Sequence, residues 1–173
     1  MSIHSRRTNY LLAILCFFII GIEGKTQTVD FAKNSIYFEL GGNGGLYSIN
    51  YERIFFKCIN CRVGFSYFSQ SWGFSPGTIK TKTFPITITW SSGHAANHFE
   101  TGGGVLIGTE HRYLNSSNDF LYDIFDITAF LGYRYQPQGE GYLFRVGLAP
   151  FLPFKREYPW TYLSGGISLG LHF

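Results

Sequence analysis

The side chains most able to take part in chemistry are three carboxylates and three guanidinium groups. They lie in segments where polar and apolar residues alternate. They are Glu39, Glu52, Glu100, Arg62, Arg134 and Arg145. Carboxylates held close together can act as general acids and bases, but no nucleophile lies beside these in a recognisable motif. If the fold brings the six together, they can form ion pairs instead. Their types alone allow acid–base chemistry, a path for ions or protons, or a structural network.

The cysteines and two of the histidines raise the question of a disulfide or a metal site. Cys58 and Cys61 flank two residues at a predicted turn, and a two-residue hairpin would bring their α-carbons to the separation of a disulfide. Free thiols are the alternative, since a redox-active pair needs a helix N-terminus and none is predicted here. His94 and His98 could share a metal at another turn, but histidines at a turn are more often simply exposed to solvent. We expect no metal and no cofactor.

A second catalytic candidate is His111 beside Glu110, at the end of a predicted strand. Ser116 and Ser117 follow in the next loop, so an acid, a base and hydroxyl groups occur within eight residues. Serine and histidine in one loop are nevertheless common by chance. We therefore predict no enzymatic activity from these residues.

The first segment of the chain has the pattern of a secretory signal peptide. Arg6 and Arg7 precede an apolar stretch of about a dozen residues, which is too short to span a bilayer. We predict a cleaved signal over residues 1–24 and a single domain over 25–173. The 14 basic residues are scattered and nearly balanced by 11 acidic residues, which argues against a nucleic-acid partner.

The rest of the chain reads as strands. Large apolar residues alternate with small or polar ones in eight segments, most of them close to the length of about 9 to 11 residues that a tilted membrane strand needs. No stretch after the signal is long and apolar enough for a transmembrane helix. The predicted fold is all-β, an eight-stranded antiparallel up-and-down transmembrane β-barrel. The predicted strands cover 35–41, 46–56, 61–70, 83–92, 98–111, 123–136, 141–152 and 161–173.

The alternation assigns one face of each strand to lipid and the other to the barrel interior. The first set includes Ile36, Phe38, Ile86 and Phe144, whereas the second set is polar and small and contains the three glutamates and three arginines. The interior of an eight-stranded barrel is just wide enough for side chains to fill. We expect the six charges to pair there and close the lumen, with a gated pore or proton path as the alternative reading.

The connections support this orientation. With both termini in the periplasm, the turns at 57–60, 92–97 and 137–140 are short and the outward loops at 71–82, 112–122 and 153–160 are longer; the glycine turn at 42–45 departs from the pattern. Two outward segments, 72–77 and 155–160, combine aromatic and charged residues. They suit contact with lipopolysaccharide or a surface partner, or they are girdle residues at the membrane interface.

The chain resembles the small eight-stranded outer-membrane barrels, the group that contains the OmpA transmembrane domain and OmpX-like proteins. The resemblance rests on the eight alternating segments, on the run from Leu131 to Pro137 that leads to a tight turn, and on the closing run from Gly166 to Phe173. Leu169, Leu171 and Phe173 occupy the places at which such closing strands carry the signal read by the barrel assembly machinery.

The resemblance implies a protein of the outer membrane of a Gram-negative bacterium, in contact with outer-membrane lipid and lipopolysaccharide. Members of the group include anchors, adhesins, enzymes and narrow channels, so architecture does not select an activity. We expect a structural or surface-interaction protein whose surface partner is unknown. The alternatives are an outer-leaflet lipid-modifying enzyme that uses His111, and a small pore.

Overall fold

The strands in the computed structural model form one closed barrel. The structure describes residues 32–56, 58–71, 77–114, 118–154 and 161–173, and in these ranges it contains eight strands and one short 3-10 turn, Gly42–Gly44. No helix in these ranges is long and apolar enough to cross a membrane. The strands are β1 Asn34–Gly41, β2 Tyr47–Phe55, β3 Ile59–Ser71, β4 Gly77–His94, β5 Asn97–Leu114, β6 Asn118–Tyr135, β7 Gly141–Pro153 and β8 Tyr162–His172.

Every strand pairs antiparallel with the next one along the chain, and β8 closes the barrel by pairing with β1. At the junction, the backbone N–H of Phe173 donates to the carbonyl of Asn34 at 2.8 Å, and the N–H of Asn34 donates back at 3.0 Å. Closure leaves no open sheet edge around the apolar part of the barrel, which is the condition for crossing a bilayer with strands. The predicted eight-stranded antiparallel up-and-down barrel is therefore confirmed.

The outer surface of the barrel is apolar at the positions that alternation assigned to lipid. Ile36 and Phe144 are 49% and 38% exposed, and Leu169 is 62% exposed. On β4, the outward residues from Trp90 to Phe84 are all apolar. These positions cover about 20 Å along the strand at about 3.3 Å per residue, and they form part of an apolar band of the kind that membrane barrels carry.

The four strands β3 to β6 extend well beyond the others at one end of the barrel. This is the end at which β1, β3, β5 and β7 finish and β2, β4, β6 and β8 begin. β4 begins at Gly77 and β6 at Asn118, although the sequence predicted loops up to 82 and 122. The extended ends, residues 66–71, 77–83, 108–114 and 118–124, remain paired as a four-stranded sheet. We call this region the projecting sheet. The sequence did not predict these strand ends because their residues are largely polar on both faces. The alternation of apolar and polar residues that marks the other strands is therefore weak here.

The first loop turns into the barrel rather than away from it. Gly41 and Gly42 have φ angles of 69° and 65°, a left-handed conformation that glycine adopts without steric cost. Two such residues in succession direct the chain inward, so that Gly42, Asn43 and Gly44 are buried. We call these three residues the lumen plug. They explain why the glycine turn departs from the loop pattern.

Small residues on the inner face make room for large ones. A β-carbon at Gly170 would lie 2.3 Å from the β-carbon of Tyr37, and β-carbons at Gly132 and Gly147 would lie 2.8 and 2.6 Å from the ring of Phe130. The two aromatic rings therefore cross the lumen above strands that carry no side chain at that point. The packing of the interior depends on this pairing of aromatic residues with glycines.

This packing predicts different effects for alanine at two glycines of β8. Gly170→Ala places a methyl group against Tyr37 and should lower the free energy of unfolding by about 1–3 kcal/mol. Gly165 faces outward with no heavy atom within 4 Å of a β-carbon, so Gly165→Ala should change it by less than about 0.5 kcal/mol. Urea unfolding of protein folded into lipid vesicles measures both. Equal effects would show that Tyr37 does not pack tightly against Gly170.

Candidate functional site

The six charged residues all face the lumen and are buried, with exposures from 0 to 3%. They form one chain of alternating charges. Arg62 Nη1 lies 3.1 Å from Glu39 Oε1, and the same Glu39 oxygen lies 4.0 Å from Arg145 Nη1. Glu100 joins Arg145, at 2.8 Å, to Arg134, at 3.9 Å, and Arg134 ends the chain on Glu52. We call this arrangement the charge chain. Its formal charge is zero.

The strand register explains why a carboxylate is needed at Glu100. Arg134 on β6 and Arg145 on β7 are direct cross-strand partners, an arrangement that is destabilising for like charges. Glu100 comes from β5, where it lies opposite Gly132, a residue without a side chain. It accepts hydrogen bonds from Arg145 Nε at 2.8 Å and from Nη2 at 2.9 Å, a bidentate geometry. Glu100 therefore separates two arginines that would otherwise repel each other.

Tyr37 connects the two ends of the charge chain. Its hydroxyl accepts hydrogen bonds from Arg145 Nη1 at 2.7 Å and from Arg62 Nη1 at 3.4 Å, and it donates to Glu52 Oε2 at 3.2 Å. The guanidinium of Arg145 also lies over the Tyr37 ring, 5.1 Å from its centroid, and over the Phe130 ring at 4.6 Å. Both rings add cation–π attraction to the ion pairs. The six charged residues and the Tyr37 hydroxyl thus form one closed ring of contacts.

Neutral side chains complete the shell around the carboxylates. Thr89 Oγ1 donates to Glu100 Oε1 at 2.5 Å, and the hydroxyls of Ser48 and Ser168 each donate to Glu39 at 3.3 Å. Gln136 Oε1 accepts from Arg134 Nε at 2.7 Å. These contacts place hydroxyl donors on the acids and a carbonyl acceptor on the base, as a buried charge requires.

Part of the donor capacity of the arginines is not used by protein groups. Nε and Nη2 of Arg62 and Nη2 of Arg134 are buried and find no hydrogen-bond acceptor within the described ranges. A buried N–H of this kind costs about 1–3 kcal/mol unless a water molecule accepts from it. The network therefore holds the lumen in a polar state with sites that suit single water molecules.

The lumen plug lies directly against Glu39 of the charge chain. A β-carbon at Gly42 would lie 2.7 Å from the carboxyl carbon of Glu39. The Asn43 amide donates across the barrel to Thr128 Oγ1 at 2.6 Å and to the Ala129 carbonyl at 3.2 Å. Thr83 Oγ1 donates to the Gly44 carbonyl at 3.4 Å. The plug is thereby tied to β4 and β6, on the far side of the lumen from its own strands.

An apolar cluster occupies the interior nearer the outer rim. It consists of Leu106, Ile124, Ala149 and Phe151, all at most 4% exposed. The ring of Phe151 stacks on that of Tyr162 with centroids 4.7 Å apart. The sequence assigned a polar and small face to the lumen, and that was wrong for these residues and for Tyr37, Phe130 and Leu143. The sequence did contain a signal for this cluster, since these large apolar residues occupy positions that alternation assigns to the inner face.

The predicted disulfide between Cys58 and Cys61 does not form in the structure, where both are free thiols. β3 begins at Ile59, and Cys61 pairs across the ladder with Arg53, so the turn does not lie between the two cysteines. Cys58 belongs to the turn, where its thiol donates to the Phe56 carbonyl at 3.3 Å. Because the two are not cross-strand partners, the hairpin geometry that favours a disulfide is missing.

Among the described residues, the histidines do not come together with other candidate catalytic or metal-ligating groups. His111 lies on the outer face, whereas Glu110 belongs to the opposite face of the strand and pairs with Arg112 at 2.6 Å. His98 is buried in the lumen and contacts the Ala95 carbonyl through Nε2 at 3.1 Å, while His94 is exposed. No cluster of three metal-ligating side chains occurs in the ranges that the structure describes.

Several predicted residues stay untested by this geometry. Leu169, Leu171 and Phe173 all lie on the outer face, and their role as an assembly signal remains a prediction. Ser116 and Ser117, and residues 72–76 and 155–160 of the aromatic outward segments, lie outside the described residues.

The charge chain predicts a large penalty when one member is neutralised. Glu100→Gln leaves Arg134 and Arg145 opposite each other with one carboxylate fewer, and should lower the free energy of unfolding by about 3–5 kcal/mol. Adding Arg145→Met should recover part of this loss. The matched control is Glu110→Gln in the exposed pair with Arg112, expected to cost less than about 1 kcal/mol. The measurement is again urea unfolding in lipid vesicles, and additive effects of the two lumen changes would contradict the coupling.

Comparison with known proteins identifies the fold. No family model and no curated protein matches the sequence. Among solved structures, the chain is similar to the N-terminal β-barrel domain of Pseudomonas aeruginosa OprF, with a TM-score of 0.54 and 11% sequence identity; the match covers 82% of this chain and 98% of that domain. At this identity the likeness concerns the fold alone. The chain therefore shares the closed eight-stranded barrel fold of that domain.

Proposed function

We propose that this protein is an integral β-barrel of the outer membrane of a Gram-negative bacterium and that it acts as a structural or surface-interaction protein. The apolar outer band and the fold likeness to the OprF barrel domain support the membrane location. The single observation that carries the proposed role is the filled lumen. The charge chain, the aromatic rings and the lumen plug occupy the interior, which leaves the outer surface and the projecting sheet as the functional parts.

The filled lumen argues against a pore. Arg134, Arg145 and Tyr37 are each at most 1% exposed, and their side chains meet in the middle of the barrel. Above them, the plug is bonded to the opposite wall through Asn43. An ion would have to displace both the plug and several paired charges to pass. In a barrel this narrow, the side chains close the interior.

The projecting sheet supplies a surface suited to interaction. On its inner face, Phe120 and Tyr122 are 44% and 47% exposed and stack with centroids 6.3 Å apart. Arg112 lies over the Tyr122 ring at 5.2 Å. Exposed aromatic residues beside an arginine are the composition of binding surfaces. The sheet holds them beyond the apolar band, outside the membrane.

An enzyme of the outer leaflet is the less favoured function. His111 and Glu110 point to opposite faces of β5, so they do not form an acid–base pair. Glu39, Glu52 and Glu100 are at most 1% exposed and each pairs with an arginine, which disfavours a catalytic role for them. We propose no cofactor. Biogenesis through the barrel assembly machinery, with Leu169, Leu171 and Phe173 as the signal, belongs to the same proposal.

Conductance in a planar bilayer tests the closed lumen. Refolded protein should show no steady conductance, because the charge chain and the plug fill the interior. Glu52→Ala with Arg134→Ala removes one buried pair without changing the net charge, and Asn43→Ala removes the hydrogen bond that ties the plug to the opposite wall; the three changes together should open a measurable path. The control, Glu110→Ala with Arg112→Ala, removes the exposed pair and should stay silent. Steady conductance by the unaltered protein would overturn the proposal, and heat-modifiable migration on a gel verifies that each variant is folded.

The orientation is tested by thiol labelling on intact cells. In a Cys58→Ser, Cys61→Ser background, Tyr122→Cys on the projecting sheet should react with a membrane-impermeant maleimide added to whole cells. Gln138→Cys, in the turn between β6 and β7, should react only after the outer membrane is permeabilised. Both positions are exposed, so access decides the result. The reverse pattern, or no labelling at either position in permeabilised cells, would refute the proposed location or orientation.

A further inference from the structure

The outward face of β4 changes from apolar to basic at one height. Below this height lie Ile86 and Phe84, the latter with its ring 5.3 Å from that of Phe65. The next two outward positions are Lys82 and Lys80, both exposed. On β5, the change falls between Ile107 and Thr109, at the cross-strand partners of Phe84 and Lys82. The lysines therefore lie immediately above the apolar band.

Both ammonium groups rest on tyrosine rings that neighbouring strands supply. Lys80 Nζ lies 5.0 Å from the centroid of Tyr113, and Lys82 Nζ lies 5.9 Å from that of Tyr67. His111 is the cross-strand partner of Lys80 and stacks on Tyr113 with centroids 5.9 Å apart. Cation–π contact holds the two long side chains against the sheet, which reduces the entropy lost when they bind an anion.

The two lysines have no carboxylate partner within 4 Å among the described residues. The acidic residues on the same face are Asp119 and Asp123 of β6. Asp123 lies opposite Thr109, which lies opposite Lys82, so two strand spacings, about 10 Å, separate the charges. This part of the face therefore presents two unpaired positive charges beside aromatic rings.

We propose that Lys80 and Lys82, flanked by Tyr67 and Tyr113, bind a phosphate group on the headgroup of an outer-leaflet glycolipid. The inference rests on the proposed outer-membrane location, since only there do these lysines face lipid headgroups. Acyl chains pack against Phe84, Ile86 and Ile107, and the phosphate lies at the height of the two ammonium groups. An anionic lipid matches both the apolar surface below and the positive charge above, whereas a soluble anion matches only the charge.

Binding of phosphorylated lipid A to the refolded full-length barrel in detergent micelles tests this site, with native mass spectrometry as the readout. Lys80→Gln with Lys82→Gln should weaken binding about 30-fold. The control is Lys33→Gln with Arg53→Gln at the other end of the barrel, where Arg53 also lies over an aromatic ring, 5.7 Å from the Phe55 centroid. It removes the same charge and should leave binding unchanged.

Lipid A without phosphates should bind the unaltered protein as weakly as the lysine variant binds the phosphorylated form. Equal loss in the two double variants would overturn the site, because net charge would then explain the binding. Equal binding of lipid A with and without phosphates would overturn it too. The micelle assay does not depend on cellular location. Failure of the labelling experiment with lipid binding intact would therefore refute the location, whereas the reverse result would refute only the lipid site.

Discussion

The narrow interior of a closed eight-stranded barrel is the constraint on which the rest of this structure depends. Pairing of β8 with β1 closes the sheet on itself, and the closed sheet encloses a space that only side chains can fill. Each inward residue therefore has to fit those of the opposite wall. Tyr37 is accommodated because Gly170 lies beside it, and Phe130 because Gly132 and Gly147 lie beneath it.

Filling this space with charges requires that they cancel. A buried arginine without a partner would be strongly destabilising, and Arg134 and Arg145 are cross-strand neighbours as well. Alternation of acids and bases along the charge chain solves both problems, with Glu100 between the two arginines and Tyr37 linking the ends. The plug extends the same polar packing outward, since Gly42 abuts Glu39. The lumen is a single structural unit that runs from the charges to the outer rim.

A closed interior leaves the outer surface and the rim as the exposed parts of the barrel. The rim is uneven, because β3 to β6 continue as the projecting sheet while the other strands end earlier. Its inner face carries exposed aromatic residues, and its outer face carries the lysines just above the apolar band. The two faces thus differ in chemistry, with exposed aromatic residues on one side and basic residues on the other.

The sequence by itself determined the architecture, the number of strands and the face on which each outward residue lies, because a period of two is set by strand geometry and does not depend on distant contacts. It also assigned the six charged residues to the inner face. Only the tertiary structure decided which of them meet, since pairing depends on the strand register and on side chains that cross the lumen. For the same reason the role of Tyr37, the inward turn at Gly42 and the separation of Cys58 from Cys61 were not predictable from local patterns. The ends of β4 and β6 were missed because their residues lie beyond the apolar band, where no apolar face imposes alternation.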